Sequence, residues 1–479
     1  MYLKNAIKWG YNICIVRAEK SAVIKGGRND MKIRRKAYQE LLEWKNSSGT
    51  SKAILVKGAR RVGKSYLVEE FARNEYRSYI MVDFSSVIPG TFKVFQEYGN
   101  RAKLDEFFNQ LSVLYGKALY PGKSVIIFDE VQKYPKAREL IKYLVADGRY
   151  DYIETGSLIS IRKNVKDIII PSEEEEMKLY PLDFEEFLNA VGDETTIPFL
   201  RRAYANRKPL GNLLKSVNEK LRVYMIVGGM PQSVVSYAES RNYDMVERVK
   251  RNIVRLYRED IAKYAESYVA EATAVFQAIP AQLSHHDKKI KYSSLKEGDR
   301  FSCYKDAIHW IQESMVGSLC YGVDEPDVFE GFSLQPSKIK CYMGDTGLLL
   351  TLAAGDNYLK SELYKSFMLG KLSVNKGMMT ENLVAQMLSV NGHPLRFYET
   401  SVLTAEEKKK KYEVDFLLLS GGSVTPLEVK SGNAREHVSL DYFQKRFRKN
   451  SEKGIVLTKG DLRETERYLF LPLAMAMFL

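Results

Sequence analysis

The chain has 479 residues, 45% of them hydrophobic and 28% charged, with a formal net charge of +13. That length fits about three domains at roughly 150 residues each, and the balance is that of an ordinary globular protein whose excess positive charge suits a polyanion, nucleic acid first. Four scattered cysteines (Cys14, Cys303, Cys320, Cys341) exclude a disulfide scaffold, and no apolar run approaches the roughly 18 residues of a membrane span, so a cytoplasmic protein is expected.

Residues 1–30 lack the apolar core and cleavage site of a signal peptide, and Met31 stands where a natural start would stand, so 1–30 read as an N-terminal extension. Ile33, Ala37, Leu41 and Trp44 recur at helical spacing, and Asn46–Gly49 ends that helix. Ala53–Val56 then reads as a buried strand, Gly58–Ser65 fits G-x-x-x-x-G-K-[ST], and Tyr66–Phe71 reads as an amphipathic helix. Strand, glycine loop and helix together aim backbone N–H groups and a helix N-terminus at phosphate oxygens. The expected ATP-binding residues are therefore Gly58, Ala59, Arg60, Arg61, Val62, Gly63, Lys64, Ser65 and Tyr66, with Lys64 on the β- and γ-phosphates and Ser65 on Mg²⁺.

Tyr79–Phe84 reads as a second strand, Leu104–Leu114 as a helix and Pro121-Gly122 as a turn. Val125–Glu130 is an apolar run closing in two acids, the pattern of a buried parallel strand whose carboxyl end faces a ligand crevice. Asp129 is expected to hold Mg²⁺, and Glu130 to polarise the attacking water. Tyr152–Glu154 reads as a strand running into Thr155-Gly156-Ser157, where Thr155 and Ser157 are both candidates for sensing the γ-phosphate. The acidic run Glu173–Glu176 reads as a solvated loop.

The glycine loop, Phe128–Pro135, Thr155–Ser157 and Tyr180–Leu188 together resemble prokaryotic AAA-family ATPases, and Gly228–Pro231 and Cys341–Leu348 resemble the C-terminal domain of unknown function that such ATPases often carry. The resemblance implies ATP hydrolysis and assigns 31–205 to an ATPase core and 206–269 to a helical lid. Members often have an arginine shortly before Tyr-Pro-Leu; Ser172–Lys178 has none, which leaves the arginine finger unassigned. The resemblance also brings Arg34 or Arg35 near the nucleotide, although a solvated helix face accounts for both equally well. Arg248, Arg251, Arg255 and Arg258 lie near helical spacing in the lid and read mainly as solvating it.

Residues 270–355, short helices followed by strand-like pieces, fit a winged helix, and the resemblance points the same way. Its DNA-contacting and protein-contacting uses both stay open, because the helix that would read bases is not visibly basic. His285 and His286 beside Asp287 read as surface residues.

In 356–479, Glu381–Leu388 reads as a helix, Tyr412–Leu419 as a strand and Val424–Lys430 as its hairpin partner. Glu428 and Lys430 share a strand face. The ordered set resembles the PD-(D/E)XK nuclease superfamily. Glu381, Asp415 and Glu428 would be metal ligands for Mg²⁺ or Mn²⁺ and Lys430 the residue that orients water, while Lys445, Arg446 and Arg448 offer phosphates a basic face. The expected fold is α/β throughout: a P-loop parallel sheet of ASCE/AAA type, helical lid, winged-helix-like middle and nuclease-like end. The expected activity is Mg²⁺-dependent ATP hydrolysis coupled to action on DNA, with homo-oligomer formation in prospect. The alternative is an ATP-dependent signalling or scaffold switch whose C-terminal end binds protein or DNA without cutting.

Overall fold

The computed structural model describes residues 23–24, 31–49, 51–157, 171–285, 287–325, 334–355, 376–403, 409–420, 422–431 and 437–479. Of the N-terminal extension only Val23–Ile24 is described, paired antiparallel with Met31–Lys32, and His286 lies outside the described residues. Among the described residues no helix is long and apolar enough to cross a membrane.

The first body is a five-stranded parallel sheet: β1 (Ala53–Gly58), β2 (Ser78–Asp83), β3 (Ser124–Asp129), β4 (Asp151–Gly156) and β5 (Glu174–Leu179), in the order β2-β3-β4-β1-β5. The strand feeding the glycine loop is thus separated from the acid-ended strand by one strand, β4, which carries Thr155. Alternation along β3 builds two cores. Val125 and Ile127 face α1 (Ala37–Ser47) and α2 (Lys64–Glu75), while Ile126 and Phe128 face α3 (Thr91–Tyr98), α4 (Leu104–Tyr115) and α5 (Pro135–Asp147). Each such buried side chain contributes about 1.5–3 kcal/mol, which is why a continuous apolar run, and not an alternating one, marks this strand.

β5 corrects the loop expected at Glu173–Glu176. Glu174–Glu176 open the edge strand, with Glu173 in the turn before it, because other elements supply their counterions. Arg138 of α5 grips Glu174 in a bidentate pair of 2.9 and 2.6 Å, and Lys57 of β1 pairs with Glu176.

After the sheet come α6 (Phe184–Ala190), α7 (Thr196–Ala205), α8 (Leu214–Val227), α9 (Pro231–Ser240) and α10 (Tyr243–Tyr264). Asp183 and Glu186 form a capping box that starts α6 directly after Tyr-Pro-Leu. Next stand α11 (Val269–Ser284), α12 (Tyr292–Leu295), α13 (Phe301–Glu313) and the antiparallel strands β6 (Gly317–Val323) and β7 (Leu334–Met343), then α14 (Thr346–Ala354).

The C-terminal part contains α15 (Lys376–Val390), β8 (Arg396–Leu403), β9 (Lys409–Val414), β10 (Phe416–Ser420), β11 (Ser423–Val429), α16 (Val438–Arg446), β12 (Gly454–Thr458), β13 (Arg463–Glu464) and β14 (Tyr468–Pro472). β8 runs parallel to β6, so one sheet, β9-β8-β6-β7, is shared between the middle and C-terminal segments; the other is β10-β11-β12-β14-β13. The strand expected over Tyr412–Leu419 divides at Asp415, which lies where the chain passes from one sheet to the other. Its Oδ2 accepts the Val429 N–H at 2.8 Å, holding the corner. A single apolar cluster runs from Leu182 through Leu349 to Ala476, so lid, middle and C-terminal elements share one core.

Candidate ATP site and the C-terminal charge cluster

The glycine loop lies at the carboxyl end of β1. Gly63 adopts φ +96° at the turn into α2, a conformation a side chain would strain. Lys64 is buried and its Nζ donates to the carbonyls of Gly58 at 2.9 Å and Ala59 at 3.2 Å. Burial lowers its pKa, against the raising pull of Glu130 and Asp129. Ser65 Oγ donates to Asp129 Oδ1 at 2.8 Å, and Thr155 Oγ1 donates to the same oxygen. Burial raises the Asp129 pKa, and those two hydroxyls oppose it. The Ser65 hydroxyl and Asp129 carboxylate side by side at the loop mouth are hard oxygen donors that fit Mg²⁺. Glu130 stands one residue beyond β3 with φ +54°, its backbone N–H donating to Thr155 Oγ1 at 3.2 Å. The structure therefore brings Lys64, Ser65, Asp129, Glu130 and Thr155 together. Ser157 lies just past β4, and Tyr66 sits on α2, both half-buried.

Gln132, Asp260 and Tyr257 join this site without having been singled out from sequence. Gln132 donates its amide to Glu130 Oε2 at 2.5 Å. Asp260 of α10 pairs with Arg60 of the loop at 2.5 Å, and the Tyr257 hydroxyl donates to the Arg60 carbonyl at 3.2 Å. Arg35 donates to the Val62 carbonyl at 3.2 Å, the Tyr180 carbonyl at 2.7 Å and Glu186 at 3.2 Å, so it braces the loop backbone, whereas Arg34 is exposed beside Glu194. The only advance signals were position: Gln132 falls two residues after Glu130, and Tyr257–Asp260 closes the arginine-bearing helix. In that helix Arg251 pairs with Glu247 and Arg255 with Glu259, while Arg248 and Arg258 are exposed.

Residues 50–188 match the AAA domain family. They form an AAA-type P-loop ATPase domain. Residues 218–358 and 376–475 match two domains of unknown function, DUF8612 and DUF4143. No curated protein matches the chain in sequence. Among solved structures, the chain is similar to a Walker-type ATPase of Pyrococcus abyssi at 15% identity and a TM-score of 0.41, over 67% of this chain and 95% of that one. It is also similar to AMPPCP-bound DnaA from Aquifex aeolicus (11% identity, TM-score 0.26, 59% and 88% covered) and to Drosophila ORC bound to DNA (13%, 0.27, 67% and 95%).

Beyond the ATPase domain, the C-terminal candidates fall into two groups. Glu381 of α15 and Asp415 meet in a buried cluster with Glu413, Lys288 and Lys340. Burial, reinforced by Glu381, pushes the Asp415 pKa up to about 6. Glu413 is held down at about 2 despite burial, because Lys340 and Lys411 pair with it. Glu428 instead bonds His437 Nδ1 at 2.9 Å and pairs with Lys430. Lys445, Arg446 and Arg448 are exposed at the end of α16 and beyond it. Lys340, Lys288 and His437 were not foreseen: Lys288 opens the basic run Lys288–Lys291 and Lys340 follows Lys338 by two residues, and neither spacing points to the acids they meet.

Proposed function

We propose that the chain is a Mg²⁺-dependent ATPase switch whose nucleotide state is passed through α10 to a C-terminal domain that binds nucleic acid without cutting it. The observation that carries this reading is the lid contact. Arg60 of the phosphate loop is bonded to Asp260 and Tyr257, and α10 shares its apolar core with the C-terminal elements. A nucleotide in the loop therefore changes the surroundings of a residue already tied to the other half of the molecule.

In this site Lys64 would exchange the carbonyls of Gly58 and Ala59 for phosphate oxygens, gaining a point-charge contact. Mg²⁺, held by Ser65 and Asp129, would supply charge neutralisation at the phosphates. Glu130 would take the proton of the attacking water, with Gln132 fixing its carboxylate and Thr155 fixing the turn that presents it. The net charge of +13 and the exposed Lys445, Arg446 and Arg448 support a nucleic-acid partner. The competing reading, DNA cleavage by Glu381, Asp415, Glu428 and Lys430 with Mg²⁺ or Mn²⁺, is favoured by the shared location of Glu381 and Asp415.

Lys64→Ala is expected to lose binding of a fluorescent ATP analogue while remaining folded. Glu130→Gln is expected to bind it and turn over about 10²–10⁴-fold more slowly. In Glu130→Gln, saturating ATP should alter amide exchange in both α10 and the C-terminal domain and shift a salt-dependent DNA affinity. Parent-like turnover in either variant removes the ATP-site assignment. Exchange confined to residues 50–188 removes the switch.

A further inference from the structure

The resemblance of the C-terminal sequence motifs to nucleases implies a divalent metal among Glu381, Asp415 and Glu428, and the residues present do not fit one. Lys340, in β7 of the middle segment, is fully buried, with Nζ 2.7 Å from Glu413, 3.3 Å from Glu381 and 3.9 Å from Asp415. Lys288 takes the other oxygen of Glu381, and the Tyr342 hydroxyl donates to Glu381 at 2.5 Å. Glu428 is turned to His437 and Lys430. Among the described residues, no three His, Cys, Asp or Glu side chains are grouped to hold a metal ion.

The charges also close without one. Lys411 bridges Glu399 and Glu413 at 2.9 Å each, and Lys289 pairs with Glu399 at 2.8 Å. Lys288, Lys289, Lys340 and Lys411 thus meet Glu381, Glu399, Glu413 and Asp415, four cations against four carboxylates. A dication inserted here would face the Lys340 ammonium in a desolvated site, where like-charge repulsion is least screened.

We propose that Lys340 is the resident cation of this site: an ammonium belonging to the chain gathers Glu381, Glu413 and Asp415 where a nuclease would hold a metal, so the domain engages its partner without metal-dependent cleavage. This rests on the binding-without-cleavage reading above and gives it a residue. Because Lys340 comes from the middle segment and the three acids from the C-terminal one, the same contact fastens the shared sheet.

The test is Mn²⁺ titration of the nucleotide-free full chain by electron paramagnetic resonance. The parent is expected to show no saturable Mn²⁺ that depends on Glu381 or Asp415, and no Mn²⁺-dependent nicking of supercoiled DNA. Lys340→Met, which keeps the length and removes the charge, should gain one Mn²⁺ per chain, and the double variant with Glu381→Gln should lose it. A folded Lys340→Met chain that gains no Mn²⁺ overturns the proposal. So does a parent site that Glu381→Gln or Asp415→Asn removes, and that measurement stands even where Lys340→Met does not fold. DNA affinity in the same samples separates the two readings. A parent that binds neither DNA nor Mn²⁺ fails the nucleic-acid reading and leaves the Lys340 assignment standing.

Discussion

Asp345 offers the sharpest stability test, because Gly228–Pro231 and Cys341–Leu348 meet on its carboxylate. It is fully buried; one oxygen accepts the Gly229 N–H at 2.6 Å, and the other caps α14 by accepting the Leu348 N–H at 2.9 Å. Nearby, the fully buried Lys250 ammonium donates to the Ile226 carbonyl at 2.8 Å and lies 3.2 Å from Glu247. Burial raises the Asp345 pKa, and the Gly229 and Leu348 N–H groups oppose that by stabilising the anion. A hydrogen bond to a charged group is worth about 1.5–3 kcal/mol, so Asp345→Ala should cost about 3–6 kcal/mol in two lost bonds, with the Gly229 N–H left buried and unpaired. Asp345→Asn keeps one acceptor oxygen and should cost about half as much. Against a typical stability of about 5–15 kcal/mol, the alanine variant stands near the edge of folding. Urea unfolding followed by tryptophan fluorescence should order the midpoints parent, Asn, Ala, with most of the gap between Asn and Ala recovered as helix capping lost at α14. Equal midpoints for parent and Ala, or a larger loss in Asn than in Ala, would refute the argument that the carboxylate joins the two motifs.

Gly229→Ala should be more damaging still, since the added Cβ would lie 2.0 Å from the Leu182 carbonyl oxygen in a contact also closed by the Leu182 N–H to Gly229 carbonyl bond of 2.7 Å. A soluble, parent-like Gly229→Ala chain in circular dichroism melting would sink the close-approach argument. Glu154 gives a pH test. Burial, with Glu174 beside it, raises its pKa well above 4.5. The folded state then holds a proton that the unfolded state has released, so this group's contribution to stability falls as pH rises from 4.5 towards the folded pKa. Glu154→Gln should flatten that fall in stability-against-pH curves taken at fixed salt; identical slopes for parent and variant would count against the buried acid pair.

The ATPase half was readable because its signals are local. Gly58–Ser65, Phe128–Glu130 and Thr155 each carry their neighbours with them, and the alternating cores on either side of β3 follow from an uninterrupted apolar run. β5 was not readable, since Glu174–Glu176 offers no apolar face and its reason to pair lies in Arg138 and Lys57, 36 and 119 residues away. The break at Asp415 was hidden for the opposite reason: Val414 and Phe416–Leu418 are all buried, so the run looks like one strand although its two ends belong to different sheets. The sharing of a sheet by β6 and β8 depends on pairing Tyr321 with Arg396, a long-range contact that no local pattern announces.

Gly228–Pro231 and Cys341–Leu348 stand out partly for the Asp345 carboxylate that joins them and partly for how closely their backbones pack. Gly229 must be bare to lie against Leu182 of the Tyr-Pro-Leu segment, while the Tyr224 hydroxyl donates to the Leu182 carbonyl at 2.8 Å. Gln386 of α15 donates to that same tyrosine at 2.9 Å and accepts from the Thr346 N–H at 2.9 Å. Asn382, one turn earlier, binds the backbone of Met343 on both its N–H and its carbonyl side, next to Glu381. On the other side of Leu182, Tyr180 and Glu186 hold Arg35, which holds the Val62 carbonyl of the phosphate loop. The buried polar groups therefore form a continuous line from the loop to the charge cluster, all of it satisfied by partners drawn from different segments. Such a line is costly to break and has few alternative arrangements. The ATPase domain and the C-terminal domain are consequently joined by this buried polar line as well as by the more solvent-accessible Arg60–Asp260 contact.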